Sequence, residues 1–166
     1  MTLEYIPDQG FRLNDILFMW FESRSGTRTK LGQQHKQMDT ITDLSEYFDG
    51  DESHNIHQYR DVYQDINSSK NYFFFNFDKE GRLTELELHW GIKIKVNSLE
   101  LEFDRDLDSY IVSLTRMDAE IVELEEGNYL FKNLKISISN SESSGGEGNA
   151  LSYFYASHNI DHLLED

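Results

Sequence analysis

Between residues 83 and 103 apolar and polar side chains alternate almost without error. Leu86, Leu88 and Trp90 alternate with Glu85, Glu87 and His89, and after Gly91 the residues Ile92, Ile94 and Val96 alternate with Lys93, Lys95 and Asn97. Leu99, Leu101 and Phe103 then alternate with Glu100, Glu102 and Asp104. A period of two sends the two sets to opposite faces of a pleated strand, so this stretch specifies a sheet with one buried and one wet face. On that reading Glu85 and Glu87 sit opposite Lys93 and Lys95 across a hairpin, each pair worth less than about 1 kcal/mol. The preceding run Tyr72–Phe77 is apolar on both faces except at Asn76. That marks a central strand, because an exposed edge so hydrophobic would aggregate. With the later apolar runs, strands are expected at 72–77, 83–90, 92–103, 129–138 and 151–156.

Two segments read as helices. Leu107, Tyr110, Ile111 and Leu114 share one helical face, with Asp104 or Asp106 as the N-cap, giving a helix over 105–117. The apolar run Leu13–Phe21 aligns with it and predicts a first helix over 13–22, on the same side of the sheet. The heptapeptide Asn71–Phe77 also matches Asn128–Leu134 at four of seven positions. The chain therefore reads as one α+β domain, 1–166, an antiparallel sheet with helices on one side. It divides into two tandem helix-plus-hairpin repeats, 11–91 and 92–166, the first carrying a polar insertion at 24–60. Within that insertion one short helix is expected at Leu44–Phe48. The expected core includes Phe74, Phe77, Leu86, Leu88, Ile94, Leu114 and Phe131.

At 166 residues the chain is long enough to bury a real core. It contains no cysteine, which removes disulfides and thiolate metal sites. The N-terminal residues lack the pattern of a secretory signal, and the longest apolar run, Ile16–Phe21, is far shorter than a bilayer span. The cytoplasm is the expected compartment. Thirty-one acids face fifteen bases, a net charge of −16, which disfavours nucleic-acid and anionic-membrane partners. Residues 98–126 hold ten of the acids, Glu100, Glu102, Asp104, Asp106, Asp108, Asp118, Glu120, Glu123, Glu125 and Glu126, against only Arg105 and Arg116. Residues 39–52 add Asp39, Asp43, Glu46, Asp49, Asp51 and Glu52 with no base. Like charges this concentrated oppose folding, so the two runs, with Asp49, Asp51 and Glu52 in the second, are the candidate surfaces for steering a cationic protein partner.

Catalytic patterns do not rise above background. His54/His57 and His158/His162 have ligand-like spacing, and the second pair would share a face of a helix. Both read more simply as surface histidines. Glu85 and Glu87 read as a solvated face rather than an acid–base pair. The sequence has no GxSxG, Walker A or GxGxxG motif, and Gly145-Gly-Glu-Gly148 reads as a hairpin tip. The expectation is a binding protein, with no enzymatic activity, metal or cofactor.

The run from Asn71 to His89, an aromatic strand followed by Asp78-Lys-Glu-Gly81 and an apolar/acidic strand, resembles a segment of small bacterial immunity proteins. These are encoded beside polymorphic toxins, including those of contact-dependent growth inhibition. The Asn128–Ile138 stretch fits the same pattern, and the resemblance covers about residues 71–156. The duplicated layout also looks like the tandem repeats of the β-lactamase inhibitory protein architecture. This resemblance implies a cytoplasmic protein that binds and neutralises a cognate toxin domain, a basic nuclease being the partner that suits its charge. The alternative is an acidic adaptor or secretion chaperone.

Overall fold

The alternating segments build two sheets rather than one. In the computed structural model, which describes residues 1–164, the first half of the chain contains the strands β1 (Thr2–Ile6), β2 (Gly10–Leu13) and β3 (Ile16–Met19), then helix α1 (Arg24–Lys30). It continues with β4 (Lys36–Gln37), β5 (Thr40–Thr42), β6 (Ile56–Gln64), β7 (Tyr72–Phe77) and β8 (Leu83–Trp90). The second half contains β9 (Lys93–Val96), β10 (Leu99–Leu101), helix α2 (Leu107–Thr115), β11 (Ile121–Glu125), β12 (Asn128–Phe131), β13 (Ile136–Asn140) and β14 (Leu151–Ser157). The protein is α+β and dominated by antiparallel sheet.

The small sheet has the order β10-β9-β1-β2-β3, and β1 with β9 is its one parallel pair. The large sheet runs β11-β12-β13-β14-β8-β7-β6-β4, with β5 beside the outer end of β6. The first half of the chain thus sends three strands and the second half a hairpin into the small sheet, and each half then forms a helix and lays a meander into the large sheet. The two meanders end on β8 and β14, which pair at its centre.

One core lies where the sheets face each other. Phe11 and Phe18 of the small sheet each meet Phe75 edge-on at 5.3 Å, and Tyr5 meets Phe154 at 6.4 Å. Phe73, Phe75, Phe77, Leu86, Leu88, Ile136, Ile138 and Phe154 project from the large sheet into this interior. All seven expected core residues are buried, and Tyr72–Phe77 is an interior strand between β6 and β8. Phe74 is buried on the other face of the sheet, under the Arg60 guanidinium 4.5 Å from its ring.

Helix α2 begins at the N-cap Asp106, whose carboxylate accepts from the Ser109 N–H at 3.2 Å, and it buries Leu107 and Leu114. The expected helix over 13–22 is instead a β-hairpin. Leu13 pairs with Ile16 around a two-residue turn with Asn14 at φ 51°, and Phe18 and Trp20 point inward while Leu17 and Met19 face out. The first helix comes later, at α1, capped by the Ser23 hydroxyl. The expected strands 92–103 and 129–138 each fold into two, turning at Asn97-Ser98 and at residues 132–135. The matched heptapeptides fall on β7, which neighbours β8, and on β12, which is separated from β14 by β13.

Residues 24–60 are more ordered than a polar insertion. Besides α1, they form β4, β5 and the start of β6, with single 3-10 turns at Ser45–Tyr47 and Glu52–His54. Asp61 ties this region to the body. It is fully buried on β6 and accepts from Arg24 Nη2 at 2.7 Å and from Arg28 Nε and Nη2 at 2.7 Å each. Burial alone would raise its carboxyl pKa, but the two guanidiniums outweigh that and hold it below the ordinary value.

Candidate functional site

Strand β6 is nine residues long, but β7 covers only Tyr59–Gln64 of it. Its first three residues run past the body of the sheet and pair with β5, Thr40 to Gln58, Ile41 to His57 and Thr42 to Ile56. The loop 43–55 closes this two-stranded arm. No residue of that loop is buried. The arm holds apolar side chains in water: Tyr47 is 79% exposed, Ile41 63% and Ile56 59%, and Phe48 stacks only on the exposed His54 at 4.0 Å. An exposed apolar group of this kind is a usual mark of an interaction surface.

The arm is also where free acids collect. From Gln37 to Tyr59 there are six acids and no Lys or Arg. Asp39 is taken up by Arg24, at 2.7 and 3.1 Å. Hydrogen bonds from the hydroxyl and then the backbone N–H of Ser45 and Ser53 lower the pKa of Asp43 and Asp51 respectively, and both carboxylates stay exposed. Glu46, Asp49 and Glu52 are exposed beside them.

The second acidic run does not form one surface. Asp118 is buried and accepts from the N–H groups of Glu120, Asn133 and Leu134 and from the Asn133 side chain, at 2.7–3.0 Å. Burial pushes its pKa up, and these donors pull it further down, so it is a carboxylate that fixes a turn and is unavailable to a partner. Glu102 pairs with Lys93 at 2.8 Å, Glu100 lies opposite Lys95 across the β9–β10 pair, and Glu120 lies 3.7 Å from Lys132. Asp106 is the helix cap, and Asp104 is an exposed turn residue at φ 63°. The remaining acids are Asp108 on α2, Glu123 and Glu125 on the edge strand β11, and Glu126 just after it. The Tyr129 hydroxyl registers three of them: its pKa is raised by a hydrogen bond to Glu123, by burial, and by the charges of Glu123, Asp108 and Glu126. This edge and the arm lie at opposite ends of the large sheet, so the structure does not bring the two acidic runs together.

The expected pairing of Glu85 and Glu87 with Lys93 and Lys95 fails because β8 and β9 belong to different sheets. Glu87 is buried on the outer face of the large sheet, hydrogen-bonded to Arg60 and, at 2.6 Å, to Asn76 Nδ2. Neither sequence alternation nor spacing pointed to Arg60, which lies on β6 within the presumed insertion. Each histidine of the two pairs has its own neighbour. His54 stacks on Phe48, His57 on Tyr59, His158 packs against Phe21, and His162 reaches the Tyr155 hydroxyl at 3.1 Å.

At the foot of the arm lies a cleft of about 610 Å³, lined by Phe21, His57, Tyr59, Phe77, Arg82 and His158 among others. Among the described residues no helix is long and apolar enough to cross a membrane. The sequence matches no family model, and searches of curated proteins and of solved structures give no match.

Proposed function

We propose that this chain is a binding protein that occludes a basic protein partner, in the manner of an immunity protein neutralising a cationic nuclease toxin in the cytoplasm. The observation that carries this reading is the arm. Its acids, which apart from Asp39 meet no Lys or Arg among the described residues, and its water-exposed Ile41, Tyr47, Phe48 and Ile56 stand together on a two-stranded projection from the large sheet. Acids serving only solubility have no need of an apolar neighbour, whereas an interface uses apolar centres for affinity and charged rims for encounter. A nuclease must hold a polyanion and is basic for that reason, so an acidic inhibitor gains association rate by matching its field, by roughly 10- to 1000-fold at low salt. The edge cluster at Glu123, Glu125 and Glu126 offers a second contact, on a strand whose outer backbone groups face no neighbour in the sheet.

The test is binding kinetics against the partner recovered from cells carrying the neighbouring genes, at two ionic strengths. Reversing Glu46, Asp49 and Glu52 to Lys should slow association, more so at low salt, and leave the melting temperature unchanged. The same measurement with Glu123, Glu125 and Glu126 reversed reports on the β11 edge. Unchanged association in both triple variants removes the electrostatic-inhibitor reading. An adaptor or chaperone would bind the same partner without blocking its enzymatic activity, and a nuclease assay of the complex separates the two.

A further inference from the structure

We propose that the cleft at the foot of the arm is a recognition pocket for an aromatic side chain projecting from the basic partner. This rests on the binding reading above and adds to it where affinity resides.

The cleft exists because the large sheet is wider than the sheet that covers it. Tyr59 lies opposite Phe77, and along β6 His57 and Tyr59 share the face that further in carries Asp61 and Tyr63. Ile41, opposite His57, continues that face into the arm. Phe18 on β3, the edge strand of the small sheet, reaches Phe75, while His57 and Tyr59 line an open cleft. Phe21 and His158 form the facing wall, their rings edge-on at 4.6 Å.

Phe21 is the second, independent observation. It holds a left-handed backbone conformation, φ 66°, that is rare for a bulky side chain and costs about 1–3 kcal/mol. The strain is fixed by the Phe21 N–H donating to the Leu83 carbonyl at 2.8 Å. In return the ring is not buried: it remains 50% exposed at the cleft mouth. Strain held without burial is unexpected of a residue retained only for stability.

The charge pattern selects the occupant. Within the cleft Arg82 is neutralised by Asp78 at 2.7 Å and Glu80 at 2.9 Å, and Lys79 lies beside Glu80. The walls are therefore electrically balanced, and the rings of Phe21, Tyr59, Phe77, His57 and His158 share them with Asp78, Lys79, Glu80, Arg82 and Thr84, so an entering ring can stack edge to face without meeting a net charge. Directly outward lies the base-free arm, which suits lysine and arginine flanking that ring. An aromatic anchor in a pocket with charged residues at the rim is how interfaces commonly concentrate affinity.

The experiment is an NMR titration of the intact protein with three pentapeptides: one with phenylalanine between pairs of lysines, its serine-centred counterpart, and a phenylalanine flanked by glutamates. The basic phenylalanine peptide should shift the ring resonances of Phe21, His57, Tyr59 and His158, with binding about tenfold tighter than the serine peptide. The glutamate-flanked peptide should leave those rings unmoved. In Phe21→Gly, which relieves the left-handed strain, the melting temperature should hold or rise while the preference for phenylalanine disappears. Equal shifts from the serine and phenylalanine peptides, confined to the arm, would overturn the pocket and leave the basic-partner reading standing. An absence of cleft shifts at millimolar peptide, or a Phe21→Gly variant that still prefers phenylalanine, also overturns it.

Discussion

Asp118 and Glu123 lie five residues apart in one acidic run and do unrelated things. Asp118 is surrounded by four donors at 2.7–3.0 Å, so its loss leaves the buried Leu134 N–H and three part-buried donors without their partner. Asp118→Ala should lower unfolding free energy by more than about 2 kcal/mol, whereas Glu123→Ala should change it by less than about 0.5 kcal/mol. Urea denaturation of the two variants checks this, and similar losses would contradict the assignment. Charge composition cannot separate the two roles, because it weighs every carboxylate alike. Asp61 makes the point with pH. Its folded pKa is depressed, so the stability it contributes is present above its unfolded value near 3.9 and is lost as pH falls through the folded value. Asp61→Asn should cost about 3–5 kcal/mol at pH 7, because it leaves two guanidiniums without their counter-charge. The gap from the parent protein should narrow only below about pH 4. A gap constant from pH 7 to pH 3 would show that the carboxylate charge is not what matters there.

At the scale of elements, the arm should behave as an appendage. Nothing between Asp43 and Asn55 is buried, and the β5–β6 pairing sits outside the core. Replacing that loop by a two-residue turn should keep cooperative unfolding within about 1 kcal/mol of the parent, since shortening a loop changes closure entropy only slowly. It should also abolish partner binding. A collapse of the unfolding transition would mean the arm is part of the body. Most strands were legible because half-buried antiparallel strands print their faces directly as alternation. The turns were legible too, but as slips of phase. Inward residues are odd at Phe11 and Leu13 and even at Phe18 and Trp20, so the parity changes at Asn14-Asp15. The same slip occurs between Val96 and Leu101 at Asn97-Ser98, and between Phe131 and Ile136. Reading 13–22 as a helix overlooked that slip, because a continuous apolar run carries no clear period. Helix α1 escaped notice for the opposite reason. Arg24, Arg28 and Thr27 hold it down through ion pairs and one small buried side chain, so it prints no apolar stripe.

For the whole molecule, the two halves of the chain depend on each other at both sheets. Beta strand β8 needs β14 as its neighbour, and β1 needs β9. The Tyr5 hydroxyl donates to the Leu134 carbonyl at 2.8 Å across the same divide, and the Tyr5 ring packs on Phe154. Separating the halves would uncover two unpaired interior strand edges on each half and open the aromatic core, which favours aggregation over a folded half. Fragments 1–91 and 92–166, expressed alone, should therefore show no cooperative thermal transition. Mixed from denaturant, they should recover one, at a midpoint that rises with concentration because association is then bimolecular. The junction at Gly91 is a demanding place to retain the connection: its φ is 75°, and a Cβ there would lie 1.7 Å from the Lys70 carbonyl oxygen. Cutting beside it removes the covalent link while leaving every strand pair intact, so the reassembled fragments report on the pairing alone. A fragment that folds cooperatively by itself would show that the halves are independent units, and the mutual pairing at β8–β14 and β1–β9 would then be an association between domains rather than the centre of one fold.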